Sequence, residues 1–362
     1  MRWSLKIARL GGTSLYIHLT FFLLIAWVAF AGWQQGGTAA ALDGVIFVML
    51  IFLCVVLHEY GHVAAAAYYG IRTPSITLLP IGGLASLERM PDRPGQELVV
   101  AIAGPLVNVV IVAILLLVLD ARFDLSQIGA LERAQMSLSG RLAAVNVMLV
   151  LFNLIPAFPL DGGRVLRALL AMRLPRPRAT RYAARVGQAF AVVFAIIGLY
   201  GNPFLLLIAI FLCFAAEAEA GQEQMRASFS GYRARDAMIT RYESLLPDAT
   251  AEDAGRLLLQ TTQQEFPVIA PGGRLVGMVT RRALVEAMRR SGASTPVSDF
   301  MAADFQTVPE DEPLESVMAK LSKSATRAVA VMSRARGFVG YINAENASEL
   351  YMLTAASRNS GG

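Results

Sequence analysis

Leu50-Ile51-Phe52-Leu53-Cys54-Val55-Val56-Leu57-His58-Glu59-Tyr60-Gly61-His62-Val63 is the stretch on which the reading of the chain turns. An apolar run fit for the lipid interior leads straight into a His-Glu-x-x-His pattern. On a helix, positions i and i+4 share a face, so both imidazoles can reach one cation while Glu59 projects beside them. A five-residue pattern also arises by chance, and a histidine in a helix is usually a packing residue. The setting separates the two readings. Insertion scales put a charged side chain at mid-bilayer at about 2.5 to 3.5 kcal/mol, and a bound cation offsets that cost, since structural zinc binds peptides with roughly 10 to 16 kcal/mol. Two imidazoles and a carboxylate with one open position make a catalytic zinc site, where Glu59 is the group able to take a proton from an attacking water.

Working outward, the 362 residues are 55% hydrophobic and 16% charged, with a mean hydropathy of +0.52. A soluble domain carries about 25% charge, so the bilayer is the expected solvent for much of the chain. Runs of the ~20 apolar residues that a helical span requires lie at 14–32, 44–69, 97–119, 138–158, 183–200 and 203–220. Arg2, Lys6 and Arg9 precede the first; Arg164, Arg167, Arg173, Arg176, Arg178, Arg181 and Arg185 lie near or between the fourth and fifth. An even number of spans places both clusters on one side, which the positive-inside rule makes cytoplasmic. The net charge of +5 is therefore read as topological rather than as a nucleic-acid footprint. The first run has the basic start of a signal peptide and an Ala29-Phe30-Ala31 sequence, but it is long for a signal core, so retention as a span is expected. Cys54 and Cys213 lie in apolar runs and read as small core residues rather than a disulfide. Between Pro74 and Pro94, Pro80, Gly82 and Gly83 mark a turn between short extended segments. Such backbone sits at membrane depth only where protein or a water-filled cavity satisfies it.

A third ligand must come from elsewhere. His18, in the first run, reads as a hydrogen-bonded or interfacial residue. Asp161 closes the fourth run in Asn153-Leu154-Ile155-Pro156-Ala157-Phe158-Pro159-Leu160-Asp161-Gly162-Gly163, where two prolines break the helix and two glycines allow close backbone approach. Its carboxylate either points back into the bundle or caps a helix starting at Gly163.

His58-Glu59-x-x-His62, Ala103-Gly104-Pro105-Leu106-x-Asn108 and Asn153-x-x-Pro156-x-x-Pro159-Leu160-Asp161-Gly162-Gly163 together resemble the site-2 protease family of intramembrane zinc metalloproteases, over residues 1 to 221. The resemblance implies one zinc per chain held by His58, His62 and Asp161, with Glu59 activating water. It also implies that Asn153 lies near the site and positions substrate or the attacked carbonyl; a packing asparagine joining helices is the other reading. Asn108 has the same two readings. The segment from Pro80 to Leu84, with Gly82 and Gly83, resembles the family's membrane-embedded hairpin, which adds a strand to an unwound substrate; a plain re-entrant loop explains its residues equally well.

Residues 235 to 354 carry an internal repeat with a period near 63. Asp236 and Met238 match Asp299 and Met301, and Leu275-Val276-Gly277 matches Phe338-Val339-Gly340. Each copy reads as a short strand, a helix (251–260 or 314–322), two strands and a closing helix. The copies resemble a CBS-domain pair, a module that often binds ATP or another adenosine nucleotide and regulates its neighbour. The Gly-x-x-Thr-x-x-Asp pattern of nucleotide-holding copies appears here as Gly277-Met278-Val279-Thr280-Arg281-Arg282-Ala283 and Gly340-Tyr341-Ile342-Asn343-Ala344-Glu345-Asn346, with no closing aspartate. A nucleotide site and a purely structural dimerisation module both remain open.

The expected architecture is an α-helical polytopic membrane domain, about six transmembrane helices plus a re-entrant β-like segment, followed by an α+β tandem CBS module. The ranges are 1–221 for the metalloprotease domain, 222–232 for a linker, 233–292 and 293–354 for the repeats and 355–362 for a tail. The expected activity is zinc-dependent cleavage of a transmembrane or membrane-anchored protein in a prokaryotic cytoplasmic membrane, with the N-terminus and CBS module in the cytoplasm. Modulation through the pair would act by nucleotide or by homodimerisation. A competing reading is a non-proteolytic zinc carrier or sensor gated by the CBS module. Nucleic acid is not an expected partner.

Overall fold

The computed structural model describes residues 3–80, 82–88, 90–91, 93–119 and 137–359, which form two compact units meeting between Glu223 and Gln224. The chain starts with a hairpin, not a span: β1 (Ser4–Leu10) and β2 (Thr13–His18) pair antiparallel across Gly11 and Gly12. Both glycines have φ near +60 to +90° (57° and 87°), the left-handed backbone that two-residue hairpin turns demand. The run expected from residue 14 therefore becomes helical only at Leu19, where His18 Nδ1 accepts from Thr20 N (3.3 Å) as the helix N-cap.

Helix α1 (Leu19–Tyr68) is broken at Gly36 and Gly37, whose φ values of −156° and +70° lie outside the helical region, so its two arms match two expected runs. β3 (Ser75–Leu79) and β4 (Gly82–Ser86) form the extended hairpin. β2 pairs parallel with β3, giving the order β1-β2-β3-β4 with β4 at an edge. One face of this sheet packs Leu15, Ile76 and Leu78 against Val56, Tyr60 and Val63, which places it on the arm of α1 that carries His58 and His62.

α2 (Pro94–Leu117) and α3 (Leu138–Asn153) follow, then the short α4 (Asp161–Ala171), α5 (Arg176–Tyr200) and α6 (Pro203–Phe229). Among the described residues four helices, α1, α2, α5 and α6, are long and apolar enough to cross a membrane by length and composition; α3, with 16 residues, is shorter. The fourth expected run ends at Asn153 because Pro156 and Pro159 cannot continue a helix. Large apolar side chains such as Leu199, Phe204, Leu207 and Phe214 face outward on α5 and α6, as a lipid solvent allows. Cys54 packs with Leu115, Leu142 and Ala143, but Cys213 is exposed on α6 rather than in the core. Residues 222–229, expected as linker, continue α6 as helix.

The second unit holds the short α7 (Ala234–Ala237), then α8 (Ala251–Gln260), β5 (Glu265–Ile269), β6 (Leu275–Thr280) and α9 (Arg281–Ser291). Its second half has β7 (Gln306–Pro309), α10 (Leu314–Leu321), β8 (Ala328–Ser333), β9 (Gly337–Asn343) and α11 (Ala344–Asn359). The first strand of copy one is reduced to a parallel bridge between Leu245 and Val268, where copy two has β7 parallel to β8. The repeated methionines and glycines have a shared cause. Met301 Sδ would lie 2.5 Å from a Cβ at Gly277, and Met238 Sδ 3.5 Å from one at Gly340, so each copy's leading methionine packs on the other copy's glycine. The bridges Met278–Ala302 and Ile239–Tyr341 complete this exchange.

Candidate metal centre

Three side chains from two helices converge on one point. His58 and His62 come from consecutive turns of α1, and Asp161 is the first residue of α4, all buried. His58 Nε2 and His62 Nε2 are 3.1 Å apart, and Asp161 Oδ2 is 3.2 Å from each. The outer nitrogens are already used: His62 Nδ1 donates to the Val100 carbonyl (2.7 Å) and His58 Nδ1 to Asn108 Oδ1 (3.1 Å). A carbonyl only accepts, so the ring hydrogens sit on Nδ1 and both Nε2 atoms present lone pairs. Two imidazole lone pairs and a carboxylate oxygen face one another across little more than 3 Å, an arrangement that a cation between them satisfies.

The size also fits. With zinc–ligand bonds of about 2.0 to 2.1 Å, adjacent ligands of a tetrahedron are ~3.3 Å apart, close to the three separations found. Among the described residues these three form a group with metal-ligating geometry, and the outer hydrogen bonds from α2 are of the kind that fix ring orientation at metal sites.

Glu59, between the histidines in sequence, lies in the electrostatic field of His62, His58, Asp161 and Arg164. β4 passes beside it: a Cβ at Gly83 would meet Glu59 Cγ at 2.6 Å, so the absent side chain leaves space for the carboxylate. Gly82, with φ of +136° and open space around it, makes the turn into β4. Asp161 does not cap its helix; the cap position is Leu160 and α4 starts two residues before Gly163. Gly162 and Gly163 press against the backbone of Leu154, Ile155 and Ala157, which holds the start of α4 against the preceding break. Asn108 is fully buried behind His58 rather than open to a substrate. Asn153, the last residue of α3, is half-buried, and its side chain makes no hydrogen bond among the described residues. His18 stays apart at the start of α1, bonded to Thr20.

Two contributors were not singled out from sequence. Gly104 of α2 lies against both rings: a Cβ there would collide with His62 Nε2 and come within 2.5 Å of His62 Cε1 and 2.7 Å of His58 Nε2. The Val100 carbonyl, one turn earlier, is the other. Gly104 stands in the quoted Ala103-Gly104-Pro105 segment, so its identity was legible; a backbone oxygen has no sequence signal.

Comparison with known proteins finds relatives for both parts of the chain. A family model described as peptidase family M50 matches residues 46–135 and 123–194, and one described as CBS domain matches 234–290 and 297–351. The chain is 32% identical over 325 residues to a zinc metalloprotease of Methanocaldococcus jannaschii, covering 90% of each. It is 29% identical over 203 residues to stage IV sporulation protein FB of Bacillus subtilis, covering 56% of this chain and 64% of that one. A solved site-2 protease from M. jannaschii is 34% identical, covering 60% of this chain and 95% of that one, with a TM-score of 0.45.

Proposed function

This chain belongs to peptidase family M50, the site-2 protease family of zinc metalloproteases, and from that premise we propose that it cleaves a transmembrane or membrane-anchored protein in or at the edge of the bilayer. One observation carries the reading: His58 Nε2, His62 Nε2 and Asp161 Oδ2 converge within 3.2 Å of one another beside Glu59, on a helix apolar enough to span. His58, His62 and Asp161 would hold the zinc. When bound, it supplies Lewis acidity to the attacking water and to the scissile carbonyl. Glu59 takes the water's proton and returns it to the leaving amine, as a general base that then acts as acid. Asn108 and the Val100 carbonyl keep the imidazoles aimed inward.

A helical substrate hides its carbonyls in internal hydrogen bonds, so it must unwind before attack. β4 offers the unwound strand a place: it is an edge strand whose Gly83 adjoins Glu59. Asn153, half-buried and with a side chain that makes no hydrogen bond among the described residues, is the residue we assign to positioning the substrate amide. Substrates with helix-breaking residues near the cut are the preferred class.

The CBS pair is assigned a modulatory role, with the N-terminus and the pair on the cytoplasmic side. The aspartate positions of the nucleotide pattern are Ala283 and Asn346, and Asn346 Nδ2 already donates to the Ala237 carbonyl at 2.6 Å. That favours modulation by contact between chains, as in a homodimer, over recognition of a ribose. Thermal unfolding of the full chain is accordingly expected not to shift on adding AMP or ATP, and a concentration-dependent rise would reinstate the nucleotide.

The central test compares purified wild-type and Glu59→Gln protein on a panel of single-span substrates, with products identified by mass spectrometry. Loss of the base should lower cleavage about 10²- to 10⁴-fold while zinc content stays at one per chain. Undiminished cleavage by Glu59→Gln would overturn the assignment. A zinc carrier or sensor would instead keep its transport or sensing in that variant.

A further inference from the structure

Behind the metal centre lies a second polar cluster that the reaction does not use. Arg167 of α4 is 1% exposed, and its Nε donates to Glu97 Oε1 of α2 at 2.6 Å. Its Nη1 donates to Glu219 Oε1 of α6 at 2.5 Å. Its guanidinium also lies over the Phe158 ring, 5.0 Å from the centroid. Arg176 of α5 joins the same group through Glu97 Oε2 (3.2 Å), Glu223 Oε1 (3.2 Å) and the Pro91 carbonyl (2.7 Å).

The placement ties this cluster to the metal centre through two shared helices. On α2, Glu97 stands one turn before Val100, whose carbonyl holds His62, and two turns before Gly104, against which both rings pack. On α4, Arg167 stands less than two turns after Asp161. The Glu97–Arg167 pair therefore joins α4, which carries the carboxylate, to α2, which holds the imidazoles of α1 in place through the Val100 carbonyl and the close approach at Gly104. Phe158 adds a second hold, because it lies in the break three residues before Asp161. Arg167 thus grips both the helix that begins with Asp161 and the loop that leads into it. Two arginines face three glutamates here, and a buried guanidinium needs its partners in place.

We propose that Arg167 is a positioning residue of the metal centre: by clamping α4 to Glu97 of α2 and Glu219 of α6, it sets where the Asp161 carboxylate stands relative to His58 and His62. This deepens the reading above and rests on its ligand set, not on the identity of any substrate. Arg176 holds α5 and the segment at Pro91, and its ion pairs and hydrogen bonds among the described residues do not reach α4, so it serves as the internal control.

The test uses the full chain in detergent. Zinc affinity is read by competition with a chromophoric chelator, donor geometry by the visible spectrum of the cobalt-loaded protein, and integrity by thermal unfolding of the metal-free form. Arg167→Lys keeps the charge but loses the fork. It is expected to bind zinc about 10- to 100-fold more weakly, the usual cost of losing a partner behind the ligands, and to shift the cobalt bands. Arg176→Met is expected to lower the unfolding temperature while leaving zinc affinity and the cobalt spectrum as in wild type. Should Arg167→Lys fail to fold, Glu97→Gln, which still accepts a hydrogen bond but loses its charge, is expected to show the same losses in smaller measure. Wild-type zinc affinity and cobalt spectrum in Arg167→Lys, or in Glu97→Gln where only that variant folds, would overturn the proposal. So would equal weakening in Arg176→Met. Because no substrate is involved, these outcomes stand whether or not cleavage is observed; zinc loss in Asp161→Ala with none in Arg167→Lys would remove the clamp alone.

Discussion

Asp161→Ala is expected to lose its zinc under dialysis that leaves wild type with one per chain, and to lose cleavage with it. If the roughly 10 to 16 kcal/mol of a structural zinc site is shared among four ligands, each is worth about 2.5 to 4 kcal/mol, or ~10²- to 10³-fold in affinity. The carboxylate is also the ligand that cancels charge: without it, the two neutral imidazoles, whose Nε2 atoms each lie 3.2 Å from Asp161 Oδ2, would hold a dication in a buried site with no charged ligand. Metal content by mass spectrometry, followed by a chelator competition titration, reads the loss directly. Asp161→Asn keeps an oxygen donor without the charge and should fall between Ala and wild type. The pattern differs in kind from Glu59→Gln, which keeps zinc and loses turnover. Stoichiometric zinc in Asp161→Ala would reduce the residue to the first position of α4 and leave the histidine pair without its carboxylate.

The reach of sequence reasoning follows the range of the forces involved. His58, Glu59 and His62 were legible because helix geometry alone brings them together, and the cost of placing them in an apolar run supplied the motive. Asp161 was legible as a chain break with a carboxylate, but its distance from the histidines is a tertiary fact. The first strand pair was missed because Leu15, Tyr16 and Ile17 run into the apolar stretch from Leu19, hiding the alternation of β2 and the turn at Gly11 and Gly12. Cys213 shows the converse: membership of an apolar run does not say which face meets lipid. The arginines after Asp161 read collectively as topological charge, whereas Arg167 and Arg176 are drawn into ion pairs and only neighbours such as Arg185 remain exposed. Composition reports the sign of a segment's charge; the partners contributed by α2 and α6 lie far off in sequence and leave no local trace.

Gly104→Ala is expected to have an effect as large as removing a ligand, although it removes nothing. A methyl at this position would overlap His62 Nε2 and press on His62 Cε1 and His58 Nε2. Three routes of relief are constrained. The imidazoles cannot tilt away without breaking the bonds from Nδ1 to the Val100 carbonyl and Asn108 Oδ1. α2 cannot retreat freely, because α1 meets it at Gly61, where a Cβ would stand 2.6 Å from the Ala103 carbonyl, and the two helices are in contact along this crossing. Asp161 cannot follow a displaced ring, because Gly162 and Gly163 hold the start of α4 against the preceding backbone. In the metal-free chain the rings can swing out at the expense of their hydrogen bonds. The overpacking cost of about 1 to 3 kcal/mol is then partly offset by the ~1 kcal/mol that alanine gains over glycine within a helix. The variant should therefore unfold within a few degrees of metal-free wild type, yet bind zinc at least ~10²-fold more weakly, the weakening set by a lost ligand, and cleave nothing measurable. Thermal unfolding with and without zinc separates the two effects: wild type is stabilised by the metal and Gly104→Ala is not. A zinc-dependent rise in Gly104→Ala equal to that of wild type would mean that the rings do not need the space this glycine leaves, and that the converging donors are not the metal site.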